Sequence, residues 1–205
     1  MPSPRTLMLG IPLALVVVFF GLWCLYGFLA VRGIETPQYT VLSEGEGYEI
    51  RQYDELIVAS TTVDGDLDQA TNDGFRRVAG YIFGENALNE KIAMTAPVTA
   101  EANEQKQQYT ISFVMPSALS MEELPLPTNS AVRVETVKNK TFAVLRFSGL
   151  VHEADVEERK TAFQQQLETD GVLVSGDLIL AQYNPPFTPW FMRRNELWAP
   201  VSMDD

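Results

Sequence analysis

The sequence predicts an α+β protein in which two β-β-α-β-β halves share a distorted antiparallel β-barrel flanked by two helices, preceded by one transmembrane helix. Three observations predict this class. Residues 13–29 are almost entirely apolar, an amphipathic helical pattern occurs twice, and strand-like segments lie before and after each helix. We therefore divide the 205 residues into an N-terminal anchor (1–32), a connector (33–43) and one folded domain (44–205).

The N-terminal segment has the composition of a membrane anchor. No residue in 6–31 is charged, and this span exceeds the roughly 20 residues that a helix needs to cross a bilayer. Trp23 and Tyr26 lie toward one end, as interfacial aromatics do. A cleaved signal peptide is the alternative, although the apolar run is long for one. We predict an uncleaved signal anchor in a single-pass membrane protein, with the domain on the periplasmic or extracytoplasmic side.

The first half of the domain has the pattern strand-strand-helix-strand-strand, at residues 48–53, 56–63, 67–82, 92–100 and 109–115. The first strand alternates polar and apolar residues, and the second is rich in β-branched residues. The helix places four apolar side chains on one face at spacings of three, four and seven: Phe75, Val78, Ala79 and Ile82. Gly84 is expected to end this helix, and Pro97 is expected to act as a strand terminator.

The second half repeats the same order of elements. Residues 132–137 and 141–147 are predicted to form a hairpin around 138–140, followed by a helix at 153–169. Closing strands are predicted at 178–183 and 197–201. The recurring order indicates an internal duplication.

Charge and composition exclude several classes of function. All 27 acidic residues but only 13 of the 15 basic ones follow Arg32, which gives this part a net charge of −14. Such a charge disfavours nucleic acid as a partner. Cys24, the only cysteine, lies in the apolar run, and the chain has one histidine, so we expect neither disulfides nor a metal site. No catalytic motif is visible, which predicts a non-enzymatic protein, although paired carboxylates remain open.

The stretch 74–98, GFRRVAGYIFGENALNEKIAMTAPV, resembles the central signature of the SOUL family of haem-binding proteins. Four further segments match in order: YEIRQY (48–53), YTISFVMP (109–116), YNPPF (183–187) and RNELW (194–198). The resemblance covers about residues 39–201. It implies a pseudo-symmetric distorted barrel flanked by two long helices, in agreement with the elements predicted from periodicity.

The resemblance also implies haem or a related tetrapyrrole as cofactor. In members thought to coordinate haem through histidine, that residue lies in the YEIR motif, where this chain has Gln52. His152, at the start of the second helix, is then a candidate axial ligand. Other members are thought to hold tetrapyrroles by apolar contact with the first helix. The corresponding cofactor-binding candidates are Phe75, Arg76, Arg77, Val78 and Tyr81. The competing interpretation makes the apolar ones core residues and the arginines a solvated edge.

The leading hypothesis is thus a membrane-anchored tetrapyrrole-binding protein that carries, buffers or senses haem without catalysis. The alternative is a module that binds another small hydrophobic molecule, an organic cation or an unknown protein partner. Arg193 and Arg194 beside Trp190 and Phe191 form a candidate anion-and-aromatic surface, unless these aromatics pack the C-terminal segment onto the barrel.

Overall fold

The computed structural model describes the backbone of residues 4–103, 108–138 and 140–202, and side chains in these ranges from residue 15 onward. Its three α-helices are α1 (Pro4–Leu29), α2 (Leu67–Ile82) and α3 (Glu153–Thr169), and a 3₁₀ turn covers Trp190–Met192. Its strands are β1 (Tyr39–Glu44), β2 (Tyr48–Tyr53), β3 (Leu56–Asp64), β4 (Val98–Ala102), β5 (Gln108–Val114), β6 (Arg133–Val137), β7 (Lys140–Phe147), β8 (Ile179–Gln182) and β9 (Asn195–Pro200).

One curled antiparallel sheet contains all nine of these strands, in the order β1-β2-β7-β9-β8-β4-β5-β3-β6. Exchanging β2, β3, β4 and β5 with β6, β7, β8 and β9 turns the order from β2 to β6 into the same order read in the opposite direction. The two halves are therefore related by an approximate twofold, and β1 is an added edge strand. The α+β class is confirmed. Over the described strands the sheet is a half-barrel with free ends at β1 and β6 rather than a closed barrel.

The hairpin predicted at residues 132–147 is wrong. β6 pairs with β3, whereas β7 lies between β2 and β9. Each half thus donates its first strand to the sheet of the other half. The physical reason is burial. In the middle of the sheet, Ala143 and Val144 of β7 are almost completely excluded from solvent. A local two-stranded hairpin would not bury both faces of β7 in this way.

The strand predicted at residues 92–100 starts later than expected. β4 begins at Val98, directly after Pro97, and residues 91–97 form an irregular segment. Its backbone is held by isolated hydrogen bonds, from Ile92 N–H to Ile82 O and from Ala96 N–H to Glu35 O, both 2.9 Å. Proline has no N–H for a ladder, so here it precedes the strand instead of ending it.

The main core lies between one face of the sheet and the helices α2 and α3. Asp66 caps α2 by accepting a 2.8 Å hydrogen bond from Gln69 N. Gly74 lets α2 approach β5 closely, because a Cβ at this position would lie 2.4 Å from Cγ1 of Ile111. On α3, the buried Phe163 packs edge-on against Tyr48 of β2, with ring centroids 5.7 Å apart. Both helices begin and end at the predicted residues.

The N-terminal helix contacts the domain through its last turns. Phe20 stacks on Phe191 with centroids 5.9 Å apart, and Trp23 Nε1 donates a 2.8 Å hydrogen bond to the carbonyl of Phe187. Trp23, predicted to lie at a lipid interface, thus binds protein instead.

The predicted membrane location requires correction. In the described part of the chain, no helix combines the length and the apolar character needed to cross a bilayer. This contradicts the single-pass membrane prediction. The side chains at positions 6–14 of the predicted span lie outside the described residues.

Candidate functional site

A groove of about 710 Å³ runs along the outer face of α2 and the turn that follows it. Its volume falls in the range of about 300–1,000 Å³ typical of small-molecule sites. Its walls are formed by nine residues: Asn72, Phe75, Arg76, Ala79, Gly80, Phe83, Gly84, Glu85 and Asn89.

Helical periodicity explains which α2 residues reach this groove. Positions 72, 76, 79 and 83 lie about one turn apart and share a face. Phe75 and Phe83 are 39% and 55% exposed, unusually high for phenylalanine. Phe75 is held in place by Phe113 of β5, with ring centroids 5.3 Å apart. The groove therefore has a preformed aromatic wall.

The five candidate residues on this helix separate into two groups. Phe75 and Arg76 line the groove. Arg77 lies beside an adjoining cavity of about 410 Å³ that it shares with Arg76, and its Nη1 donates to Thr62 O at 3.3 Å. Val78 and Tyr81 point inward and are fully buried, and the Tyr81 hydroxyl donates to Pro125 O at 2.9 Å.

The turn after α2 is organised by the buried side chain of Asn86. Its Nδ2 donates to Tyr81 O at 3.0 Å and to Glu90 O at 2.7 Å, while its Oδ1 accepts from the backbone N–H groups of Leu88 and Glu90, both at 3.2 Å. Gly84 has a φ of +118°, which side chains other than glycine rarely adopt. This turn forms the end of the groove nearest Phe83.

The groove has mixed charge. The side chain of Arg76 is 79% exposed and lies 3.3 Å from Asp73, a weak surface pair that leaves most of its donors free. The Glu85 carboxylate lies over Gly80, where its Oε2 is 2.6 Å from the place a Cβ would occupy. The groove thus offers one cation and one anion beside an aromatic wall.

In the part of the chain that the structure describes, the wall of the groove contains no histidine, cysteine, methionine or tyrosine. His152 is exposed at the N-cap of α3, where its side chain makes no capping hydrogen bond, and Gln52 is exposed on β2. Neither lines the groove, so no described residue of the kinds that ligate haem iron lies in its wall.

The sequence of residues 34–200 matches the family model described as SOUL heme-binding protein. The chain belongs to the SOUL heme-binding protein family. "Heme-binding protein 2" of Homo sapiens is 31% identical over 180 residues, which cover 82% of this chain and 87% of that protein. "Heme-binding protein 1" of Xenopus laevis is 27% identical over 176 residues, covering 81% and 92%.

Solved structures share the fold of this SOUL protein at much lower sequence identity. The C-terminal domain of EcmrR superposes with a TM-score of 0.61 at 10% identity, covering 81% of this chain and 99% of that one. A hydrolase from Listeria innocua superposes with a TM-score of 0.54 at 10% identity, covering 78% and 94%. At such identity these similarities establish the fold alone.

A second polar centre of the SOUL domain lies on the sheet face opposite α2 and α3, around the fully buried Glu196. Arg51 Nη1 donates to its Oε1 at 3.1 Å, and Arg194 donates to the same oxygen through Nε at 3.0 Å and Nη2 at 2.7 Å. The Tyr183 hydroxyl and Trp198 Nε1 donate to Oε2 at 2.6 and 2.8 Å. Burial alone raises the pKa of Glu196, but these hydrogen bonds and the charge of Arg194 outweigh it and lower the pKa.

Sequence reasoning missed Glu196 and most of the groove. The groove residues Ala79, Gly80 and Phe83 follow from Arg76 at helical spacing, which was a usable signal. For Glu196 a local signal was its spacing of two residues from Arg194 and from Trp198, which places all three side chains on one face. Its other partners, Arg51 and Tyr183, come from β2 and from the segment after β8.

Proposed function

We propose that this SOUL protein binds haem or a related tetrapyrrole in the groove along α2, as a carrier, buffer or sensor rather than an enzyme. The observation that carries the proposal is the pair of exposed phenylalanines beside an exposed arginine in a groove of about 710 Å³. An apolar surface with few polar groups is the usual form of a cofactor site. The names of the family and of its relatives support the same ligand.

Four groove residues and the neighbouring Arg77 have specific roles in this proposal. Phe75 and Phe83 contact the macrocycle, and Ala79 leaves room between them. Arg76 binds a propionate through charge-assisted hydrogen bonds, with Arg77 near enough to assist at the adjoining cavity. Bound haem supplies the redox and ligand-binding chemistry of its iron. The groove wall itself provides apolar contact and charge, so binding does not depend on an axial side chain.

Haemin titration of the full chain, followed by the Soret band, tests the proposal. Phe83→Ser removes about 1.5–3 kcal/mol of apolar contact and is expected to weaken haemin binding at least tenfold. Arg76→Glu replaces attraction to a propionate by repulsion and is expected to have a similar effect. Two exposed sites away from the groove supply matched controls, Leu173→Ser and Arg133→Glu, and these are expected to bind like the unmodified chain.

Two outcomes contradict the proposal. One is a Soret spectrum identical to that of free haemin in the presence of the protein. The other is a shifted spectrum whose dissociation constant is the same in the groove variants and in their controls, which would place the ligand elsewhere.

The alternative of an organic-cation ligand has less structural support. Such a ligand needs a carboxylate free to face it. Glu196 is not free in this sense, because its two oxygens already accept hydrogen bonds from four side chains, those of Arg51, Arg194, Tyr183 and Trp198. Among the described residues that line the α2 groove, the one carboxylate, Glu85, shares the wall with the cation Arg76. We therefore prefer the tetrapyrrole.

A further inference from the structure

A second cavity, of about 250 Å³, lies on the sheet face that α2 and α3 leave uncovered. Side chains alternate between the two faces of a strand, so Arg146 of β7 and Glu196 of β9 lie on the face opposite the core residues Leu145 and Leu197. The connector before β1 covers part of this face. The cavity is enclosed between the connector, the sheet and the segments that flank β9.

The charge of this cavity is opposite to that of the protein. Arg146 and Arg194 line the cavity, and no aspartate or glutamate is among its described lining residues. The whole chain, in contrast, carries a net charge of −12. Arg194 is paired with Glu196, whereas Arg146 forms no ion pair with any described residue, so this cavity retains an unpaired positive charge that favours an anion.

Arg194 is held rigidly at this cavity. Glu196 binds its Nε and Nη2, and its guanidinium stacks over the Tyr183 ring at 3.8 Å from the centroid. Its backbone N–H donates to Asn184 Oδ1 at 2.7 Å. These contacts leave Nη1 without a partner among the described residues, so one donor of a fixed guanidinium is available for an anion.

Arg146 is the second cation, and it lies opposite Glu196 in the register of β7 and β9, where both carboxylate oxygens already accept hydrogen bonds from other side chains. It makes no ion pair, side-chain hydrogen bond or cation–π contact within the part of the chain that the structure describes, and it is exposed. It also borders a neighbouring cavity of about 370 Å³ whose other charged residues are Arg51, Arg194, Glu44 and Glu49, with Glu49 paired to Arg51 at 2.6 Å. A free guanidinium beside a fixed one matches the geometry with which arginine binds carboxylates.

The remaining wall is apolar and comes from separate parts of the chain: Val31, Ile34, Ala96 and Met192. At about 30 Å³ for each water-sized unit, 250 Å³ corresponds to about eight such units, close to the size of a small organic ligand. A ligand of this size that satisfies both the cations and the apolar wall is a small monocarboxylate with an aromatic or short aliphatic body.

We propose that the cavity between Arg146, Arg194 and the connector is a binding site for a small aromatic or short-chain monocarboxylate, distinct from the α2 groove. Its carboxylate binds the guanidinium groups of Arg146 and Arg194, and its apolar body packs against Ile34 and Met192. The proposal is independent of haem, because the two sites share no lining residue.

Fluorine NMR of the full chain with 4-fluorobenzoate as probe tests this site. The chain is expected to bind it with a dissociation constant of about 1 mM or tighter, within reach of a ligand of some ten non-hydrogen atoms. Arg146→Gln is expected to weaken binding at least tenfold, and Ile34→Ser severalfold. The matched control is Arg133→Gln, on the edge strand β6, which is expected to bind like the unmodified chain.

The cation 4-fluorobenzamidine has nearly the same shape as 4-fluorobenzoate, so it tests whether the charge of the ligand determines binding. Failure of the amidine to compete with 4-fluorobenzoate supports the proposal. No binding of 4-fluorobenzoate, equal binding by Arg146→Gln, or binding of the amidine as tightly as the carboxylate overturns it. Because Arg146 is exposed, its replacement is expected to leave the core and the fold intact. Circular dichroism of each variant checks this.

Discussion

Tyr183 donates a 2.6 Å hydrogen bond to the carboxylate of Glu196, and neither side chain has appreciable contact with solvent. Burial and the negative charge of Glu196 raise the pKa of Tyr183, so the hydroxyl remains the donor. The tyrosine follows β8 and the glutamate lies in β9, so the bond joins two neighbouring strands of the second half. With Arg51 from β2, it links this half to the first.

Glu196→Gln is expected to destabilise the protein. The substitution keeps the shape of the side chain but removes the charge that compensates Arg51 and Arg194. Breaking such a buried pair costs about 3–5 kcal/mol of unfolding free energy. Urea denaturation at pH 7 measures the change, and Glu158→Gln on the exposed face of α3 serves as the control, with an expected change below about 0.5 kcal/mol. A loss below about 1 kcal/mol would contradict the role assigned to Glu196.

The stabilisation by Glu196 is expected to depend on pH in a defined direction. Its pKa in the folded protein is below the ordinary value of 4.5, so the folded state favours the ionised form. The contribution is complete above pH 4.5 and decreases as the pH falls from 4.5 through the folded-state pKa. The difference in unfolding free energy between the unmodified chain and Glu196→Gln should therefore be constant from pH 5.5 to 7, roughly a unit or more above that value, and decrease in acid. A difference that grows on acidification refutes this assignment.

Asn86→Ala is expected to loosen the turn after α2. Four hydrogen bonds are lost, each worth about 0.5–1.5 kcal/mol, which predicts a loss of about 2–6 kcal/mol of unfolding free energy. Asn72→Ala removes one exposed bond to Asp68 O and provides the comparison. Denaturant unfolding measures the free energy of unfolding of both variants. Equal decreases in the two variants would mean that the side chain of Asn86 does not organise the turn.

His152→Ala is expected to leave haemin binding unchanged. The imidazole is exposed at the N-cap of α3 and does not line the groove. The Soret maximum and the dissociation constant for haemin are the quantities to compare with those of the unmodified chain. A loss of the Soret shift would identify His152 as an axial ligand and move the site away from α2.

Local patterns predicted the helices and most strands well. The limits of α2 and α3 and of β2 coincide with those expected from periodicity, because each element has a clear apolar face and a recognisable start or stop. The errors occurred where long-range pairing decides. Nothing between residues 132 and 147 indicates that β7 inserts between β2 and β9, and nothing near Pro97 indicates that the irregular segment before it is held by Glu35 and Ile82.

The candidate site was predicted only in part. Phe75 and Arg76 line the groove, while Val78 and Tyr81, on the same helix, belong to the core. Residue type could not separate these two groups, because an aromatic or aliphatic residue suits either environment. Their assignment depends on which side of α2 faces β3 and β5, and this is a property of packing.

The sequence by itself determined the family, the α+β class, the acidic surface and the helix of the groove, because motifs, charge and short-range periodicity are local properties of the chain. Only the tertiary structure decided the strand order, the burial of Glu196 and the meeting of Arg146 with Arg194. The same holds for the N-terminal segment, which composition assigned to a membrane and in which the structure shows Phe20 and Trp23 packed against the domain. The physical reason is that these features depend on contacts between residues distant in the chain. Local sequence patterns do not specify which distant surface a segment packs against.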